Sequence, residues 1–178
     1  MTQNENRTGR NSGPESKWTI RTADEADLDA VSDLEAECFP AAEAATRESF
    51  AQRIRYYGDC FLLLFEDGKL ISFVDGMITD EKDLRDEMYE KADMHDPNGK
   101  WQMIFGVNTR PSHQRCGYAG ILIRKMIEKA KAEGRLGVVL TCKDKLVHYY
   151  ASFGFQNEGV SEESTHGGVV WNQMRITF

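Results

Sequence analysis

"HQRCGYAGILIRKM", residues His113 to Met126, decides how this chain is read. Gly117 and Gly120 stand three apart among basic residues, and an apolar helical run begins at once. The spacing of Ile121, Leu122, Met126 and Ala130, with the stem of Lys125, predicts a helix over Tyr118 to Ala132 that Gly134 stops. A helix N-terminus exposes unpaired N–H groups and a partial positive charge, so it is ready for an anion. Glycine lets an anion approach those groups with no side chain in the way. The turn is not a Walker motif, because no Gly-Lys-Ser/Thr follows, and it lacks the dinucleotide fingerprint. A GxxG spacing alone would match many plain turns.

Working outward, "WQMIFGVNT" (Trp101 to Thr109) reads as a strand entering the turn and "LGVVLTC" as a strand leaving the helix. That strand–helix–strand unit from Trp101 to Cys142 predicts a parallel crossover. Upstream, Trp18 to Ala23 alternates as a strand. Asp24 is placed to cap a helix with the stripe Leu28, Val31, Leu34 and Cys38, which Pro40 ends. Thr46 is placed to cap a second helix with Phe50 and Ile54 on one face. Cys60 to Phe65 and Leu70 to Met77 flank Asp67-Gly68 as a hairpin. Residues 81–95 suit a short exposed helix, "KLVHYYASFGF" a helix breaking at Gly154, and "GGVVWNQMRITF" a last strand placed to form an edge. The fold class is α/β with a largely antiparallel early sheet.

The 178 residues suit one domain, with 1–16 as a flexible tail and 17–178 as the folded unit. The hydrophobic fraction of 40% and charged fraction of 29% fit a globular chain, and no apolar run is long enough to span a membrane. The N-terminus lacks the apolar core of a secretory signal. The chain therefore reads as cytoplasmic. Cys38, Cys60, Cys116 and Cys142 are widely spaced and read as buried or half-buried free thiols, and neither they nor the four histidines form a metal pattern. The net charge is −7 and strongly segregated. Asp24 to Glu48 carries nine acids against one base, and Asp80 to Asp96 eight against three. From Arg110 to Arg135 there are seven bases against two acids. Such segregation suits an anionic ligand on one side and a cationic one on the other. The short basic segment and the lack of a recognition module exclude nucleic acid.

Gln114-Arg115-Cys116-Gly117-Tyr118-Ala119 resembles the Q/R-x-x-G-x-G/A motif of the GNAT superfamily of N-acetyltransferases, between a strand and a helix as in that family. A tyrosine followed by Gly-Phe, as in "HYYASFGF", is its common second signature. "LEAECF", "TCKDKLVHYYASFGF" and the Asp-Gly hairpin are most similar to the serotonin (arylalkylamine) N-acetyltransferase branch. The resemblance implies the GNAT acyltransferase fold, a mixed, mainly antiparallel sheet of six to seven strands flanked by about four helices. It also implies acetyl-CoA as cofactor and a primary amine as acceptor. The amides of Arg115, Gly117, Ala119 and Gly120 would hold the pyrophosphate within the binding segment Gln114, Arg115, Cys116, Gly117, Tyr118, Ala119 and Gly120. The backbone of Phe105, Gly106 and Val107 would pair with pantetheine, and the Val107 N–H would face the thioester oxygen. Gly106 within a strand fits a bulge or a close approach.

By the same resemblance, Tyr150 matches the tyrosine that protonates the leaving thiolate and lies near the CoA sulfur. The branch's two strand histidines are replaced here by Met103 and Phe105, neither of which accepts a proton. Glu35, at the edge of an apolar helical stripe, is the first substitute for the base; His148 or a water chain are the others. The acid-rich segments point to a cationic acceptor, and Phe39, Phe50, Tyr56, Tyr57 and Phe73 are candidates for an apolar wall around an arylalkyl group. Two other readings stand beside a small-amine acetyltransferase: an acetylator of protein lysines or N-termini, and a non-catalytic acyl-CoA sensor. A monomer or a homodimer fits the chain.

Overall fold

Local side-chain chemistry starts the first elements of the computed structural model, which describes residues 18–178. The tail expected over residues 1–16 lies outside the described residues. After β1 (Trp18–Thr22), the Asp24 carboxylate accepts from the Ala26 amide and the Asp27 carboxylate accepts from the Asp24 amide. This reciprocal cap opens a short turn that runs into α1 (Leu28–Cys38). The Thr46 hydroxyl accepts from the Ser49 amide and starts α2 (Arg47–Tyr57). β2 (Leu62–Glu66) and β3 (Lys69–Asp75) are joined by Asp67 and Gly68, at φ 49° and 77°. Positive φ at both central residues is what a type I′ hairpin turn requires.

β4 (Ile78–Thr79) has two residues, and α3 (Asp86–Glu90) only five. The helix expected over 81–95 is thus broken into α3 and a separate turn at Ala92–Met94. β5 (Trp101–Ile104) and β6 (Gly106–Thr109) divide the strand that the sequence reads as one. α4 (Tyr118–Ala132), β7 (Gly137–Cys142), α5 (Val147–Ala151), β8 (Gln156–Val160) and β9 (Asn172–Thr177) complete the chain. The described residues therefore hold nine strands and five α-helices, in a four-stranded sheet β1-β2-β3-β6 and a five-stranded sheet β4-β5-β7-β9-β8. All pairs are antiparallel except β5 with β7, which α4 connects as the expected parallel crossover. The last strand is not an edge: β9 inserts between β7 and β8, and β8 takes the edge.

Alternate strand residues feed two apolar layers. Leu63, Phe73, Met103 and Val139 face α1 and α2, whereas Leu64, Val74, Ile104 and Leu140 face α4 and Tyr150 of α5. Phe50, Phe61 and Phe73 pack on one another in the first layer.

The break between β5 and β6 is a bulge. Gln102 lies opposite Ile78, and Gly106 lies opposite Asp75. The Met103 N–H donates to Met77 O at 2.8 Å and the Phe105 N–H to Asp75 O at 2.7 Å, so one extra residue is accommodated on the β5–β6 side. β5 stays paired with β7 up to Ile104 opposite Leu140; β6 then pairs with β3 alone. A cleft opens where β6 leaves β7.

Gly76 makes this crossing possible. A Cβ there would lie 1.8 Å from Met103 O, a backbone atom that has nowhere to go. Gly76→Ala should cost about 3 kcal/mol and lower Tm by about 10 °C, measured by thermal unfolding. An unchanged Tm would show that the crossing is looser than described.

Candidate active site

The turn before α4 is built for an anion. Arg115 is at φ 60° and Gly117 at φ 87°, both left-handed, and Gly117 is the N-cap of α4. Ile121 N–H is the first in the helix to find a carbonyl, that of Gly117. Among the described residues no protein acceptor takes the amides of Arg115 to Gly120. Consecutive free N–H groups in a left-handed turn at a helix start form an anion cradle. A Cβ on Gly117 would meet nothing within 4 Å, so the space in front of the turn is open. Gly120 is buried against Phe153 and Arg124, which lets α4 seat on the end of α5.

The cleft beside it is lined by both sides of the divergence. The Arg110 N–H donates to Ile71 O at 2.8 Å, and these residues are directly opposite. Antiparallel partners alternate between bonded and non-bonded pairs. Asn108 with Phe73 is therefore a bonded pair and Val107 with Val74 is not. The Val107 N–H consequently points away from β3, toward the side that β7 has left. Phe105, Gly106 and Val107 form one wall, and Leu140, Thr141, Cys142 and Tyr150 form the other. Tyr150 is buried, with its ring edge-on to Tyr149 and Phe155. Burial pushes its phenol far above the ordinary value, and Tyr149 and Cys142 add to that. The hydroxyl keeps its proton at neutral pH and makes no hydrogen bond to a described residue.

The cleft floor is charged. Glu35, 6% exposed, accepts from the Ala45 amide at 2.9 Å and from the Asn108 side-chain amide at 2.6 Å. Asp75 is fully buried and pairs with buried Arg53 at 3.1 Å. The Arg53 guanidinium also donates to Tyr89 O and lies over the Phe50, Tyr89 and Phe105 rings. Asp75 Oδ1 and Asn108 Oδ1 are buried without a partner among the described residues. Burial raises the pKa of both carboxyls; Arg53 opposes it at Asp75, and at Glu35 the Ala45 and Asn108 hydrogen bonds oppose it. Asp75 and Arg53 are not legible as site residues in the sequence, where each sits in an ordinary apolar pattern. The one signal is an Asp before Gly76, at the inner end of a buried strand.

Of the five aromatics that are candidates for an acceptor wall, Phe39 alone lines the cleft. Phe50, Tyr57 and Phe73 are core, and Tyr56 is exposed. Tyr89, Phe105, Tyr150, His166 and Trp171 supply the rings instead. His148 is exposed and outside the cleft, Met103 is sealed in the core, and Cys116 is exposed rather than half-buried.

The raised Glu35 pKa gives a signed prediction. The native carboxyl binds a proton more tightly than the unfolded one, so its stabilising contribution is present at low pH and lost as pH rises from the ordinary 4.5 through the raised value. In denaturant unfolding from about pH 4 to about pH 8, Glu35→Gln should gain stability relative to wild type as pH rises. The opposite trend would mean that the hydrogen bonds to Glu35 outweigh its burial.

Comparisons with known proteins agree with this geometry. The model of the Acetyltransferase (GNAT) family matches residues 28–155. Serotonin N-acetyltransferase of Mesocricetus auratus is 27% identical over 96 residues, which is 53% of this chain and 45% of that enzyme; the match thus spans less than half of the curated relative. Among solved structures, the loading GNATL domain of CurA from Lyngbya majuscula superposes with a TM-score of 0.77 at 15% identity, over 90% of this chain and 97% of that one. PaiA N-acetyltransferase from Thermoplasma acidophilum, solved with coenzyme A, gives 0.67 at 14% identity over 90% and 99%. With its family motif on an open amide cradle beside a divergent strand pair, the chain belongs to the Acetyltransferase (GNAT) family.

Proposed function

We propose that this enzyme acetylates the primary amine of a small cationic molecule, of the arylalkylamine kind. The observation that carries this reading is the charged cleft floor. Two buried carboxylates, Glu35 and Asp75, face one guanidinium, Arg53, beside the Val107 amide and Tyr150. The excess negative charge suits an ammonium, and the rings of Phe39, Tyr89, Phe105 and Trp171 suit an apolar or aromatic body.

The residues present fit acetyl-CoA. The free amides of Arg115 to Gly120 would take its pyrophosphate, with Gln114, Cys116 and Tyr118 in the same segment. Phe105, Gly106 and Val107 line the way to the cleft and would take pantetheine. The bound cosubstrate supplies an acetyl thioester. The free Val107 N–H would donate to the thioester carbonyl oxygen, on which charge develops as the amine lone pair attacks. Tyr150, protonated at neutral pH, gives its proton to the departing sulfur. Glu35, held at the cleft floor by the Ala45 and Asn108 hydrogen bonds, would hold the incoming ammonium by charge.

Small acceptors are favoured over protein segments by the cleft's outer wall. The connector between α1 and α2 meets the segments after β7 and β8 there: Glu43 pairs with Lys143 at 2.9 Å, and Gly167 packs against the Glu43 side chain. The space left is about 290 Å³.

The test is acetyl-CoA consumption with tryptamine, phenethylamine, spermidine, an aminoglycoside and a lysine peptide, for wild type and Tyr150→Phe. The arylalkylamines should turn over fastest, and the variant should lose about 10²-fold in kcat with coenzyme A affinity unchanged. Preference for the lysine peptide would transfer the reading to a protein acetyltransferase. Coenzyme A binding without turnover of any amine would favour the sensor.

A further inference from the structure

One titratable pair on the cleft has no part in the reaction so far. His166 lines the cleft from the loop between β8 and β9. Its Nδ1 meets Asp86 Oδ1 of α3 at 2.9 Å. Asp86 Oδ2 in turn accepts from the Thr165 amide at 2.8 Å and the Thr165 hydroxyl at 2.9 Å. The imidazole stacks on Trp171, with centroids 4.2 Å apart, and lies 4.6 Å from the Tyr89 ring. Tyr89 is itself 4.6 Å from Phe105, the bulge residue, so a single ring separates His166 from the point where the strands diverge. Trp171 Nε1 donates to His166 O and ties the loop to itself.

A carboxylate on Nδ1 fixes the neutral ring with its proton on that nitrogen and leaves the Nε2 lone pair free. No described residue hydrogen-bonds to Nε2. Two rings, a carboxylate and a hydroxyl are arranged to hold this histidine in one tautomer and one plane. A surface histidine needs none of that.

We propose that His166 is the proton acceptor for the substrate ammonium, and that Asp86 is its positioning residue. This deepens the amine reading and rests on it. The amine arrives as an ammonium, whose N–H proton passes to His166 Nε2 and on to solvent. The freed nitrogen lone pair then forms the C–N bond as the C–S bond breaks. The sulfur takes its proton from Tyr150, and Tyr150 recovers one from the new amide nitrogen. The sum is one amide, one thiol and one proton released.

The charged and titratable groups around the ring are Asp86 and Tyr89 of α3, with Glu90 on the same element. Glu43 and Lys143 stand across Gly167 and Trp171, and Arg53 lies beyond Tyr89. Although burial works against it, the Thr165 and His166 hydrogen bonds hold the Asp86 carboxyl below the ordinary range. Asp86 therefore stays charged wherever the enzyme would work.

The experiment is a pH profile of kcat/KM, with the best amine of the panel, for wild type, His166→Gln, Asp86→Asn and Glu35→Gln. Coenzyme A affinity and Tm are measured on each. His166→Gln should lose about 10²-fold or more and the acidic limb of the profile, with coenzyme A affinity intact. Asp86→Asn should lose about tenfold and move that limb to lower pH, because an imidazolium without its carboxylate is less stable. Its limb serves as the readout if His166→Gln does not fold. Unchanged limbs in both variants, or a limb abolished by Glu35→Gln alone, would overturn the assignment to His166 while leaving the amine reading intact. Wild-type coenzyme A binding without turnover of any amine would overturn both.

Discussion

The single extra residue at Phe105 is the constraint on which the site depends. Without the bulge, a regular strand from Trp101 would stay paired with β7 as far as Gly106 opposite Cys142, where β7 ends. The bulge keeps the ladder to β3 intact and turns β6 away from β7, so the backbone of Val107 faces open space. The diverging strand β6 leads directly into the turn from Arg110 to Gly117. The side without a partner strand is thus where a cosubstrate can complete the sheet's hydrogen bonds. Gly76, pressed against Met103 O, shows how closely the segment between β3 and β4 must approach to permit it.

The floor of the cleft carries the cost of function. An arginine and two carboxylates lie in a low-dielectric interior, and an isosteric apolar cluster would often be no less stable. Arg53 Nε and Asp75 Oδ1 at the cleft, and Asn108 Oδ1 beside Glu35, find no partner among the described residues. Each such atom costs about 1–3 kcal/mol. Concessions of this kind concentrate where a site must recognise charge. Here they place negative charge under the point where an amine has to arrive. The surface segregation of acids and bases, visible in the sequence, extends the same field outward.

Much of the fold was legible because it is written in local chemistry. Asp24 caps the short turn that runs into α1, Thr46 caps α2, Asp67-Gly68 turns its hairpin, and Gly117 opens α4. The motif before α4 identified the family. The division of Trp101–Thr109 was hinted at by Gly106, but the sheet's separation into two is a long-range event that no window of sequence contains. The base was harder still. His166 lies 80 residues from Asp86 in sequence, and both sit in segments with no periodic pattern. The aromatic wall follows the same logic: Phe50 and Phe73 have helix and strand periodicities that send them to the core, whereas Tyr89 and Trp171 come from irregular segments. Periodicity reports burial well, and a cleft is assembled from what periodicity leaves over.

The central claim is that acetyl-CoA docks on two sets of free backbone amides, the cradle before α4 and Val107 in the diverging strand. Backbone amide chemical shifts on titration with acetyl-CoA test it most directly. The account predicts large shifts at Arg115 to Gly120 and at Val107, with Asn108, whose ladder bond faces β3, much less affected. Shifts confined to other surfaces, or a cradle that responds while Val107 does not, would contradict it.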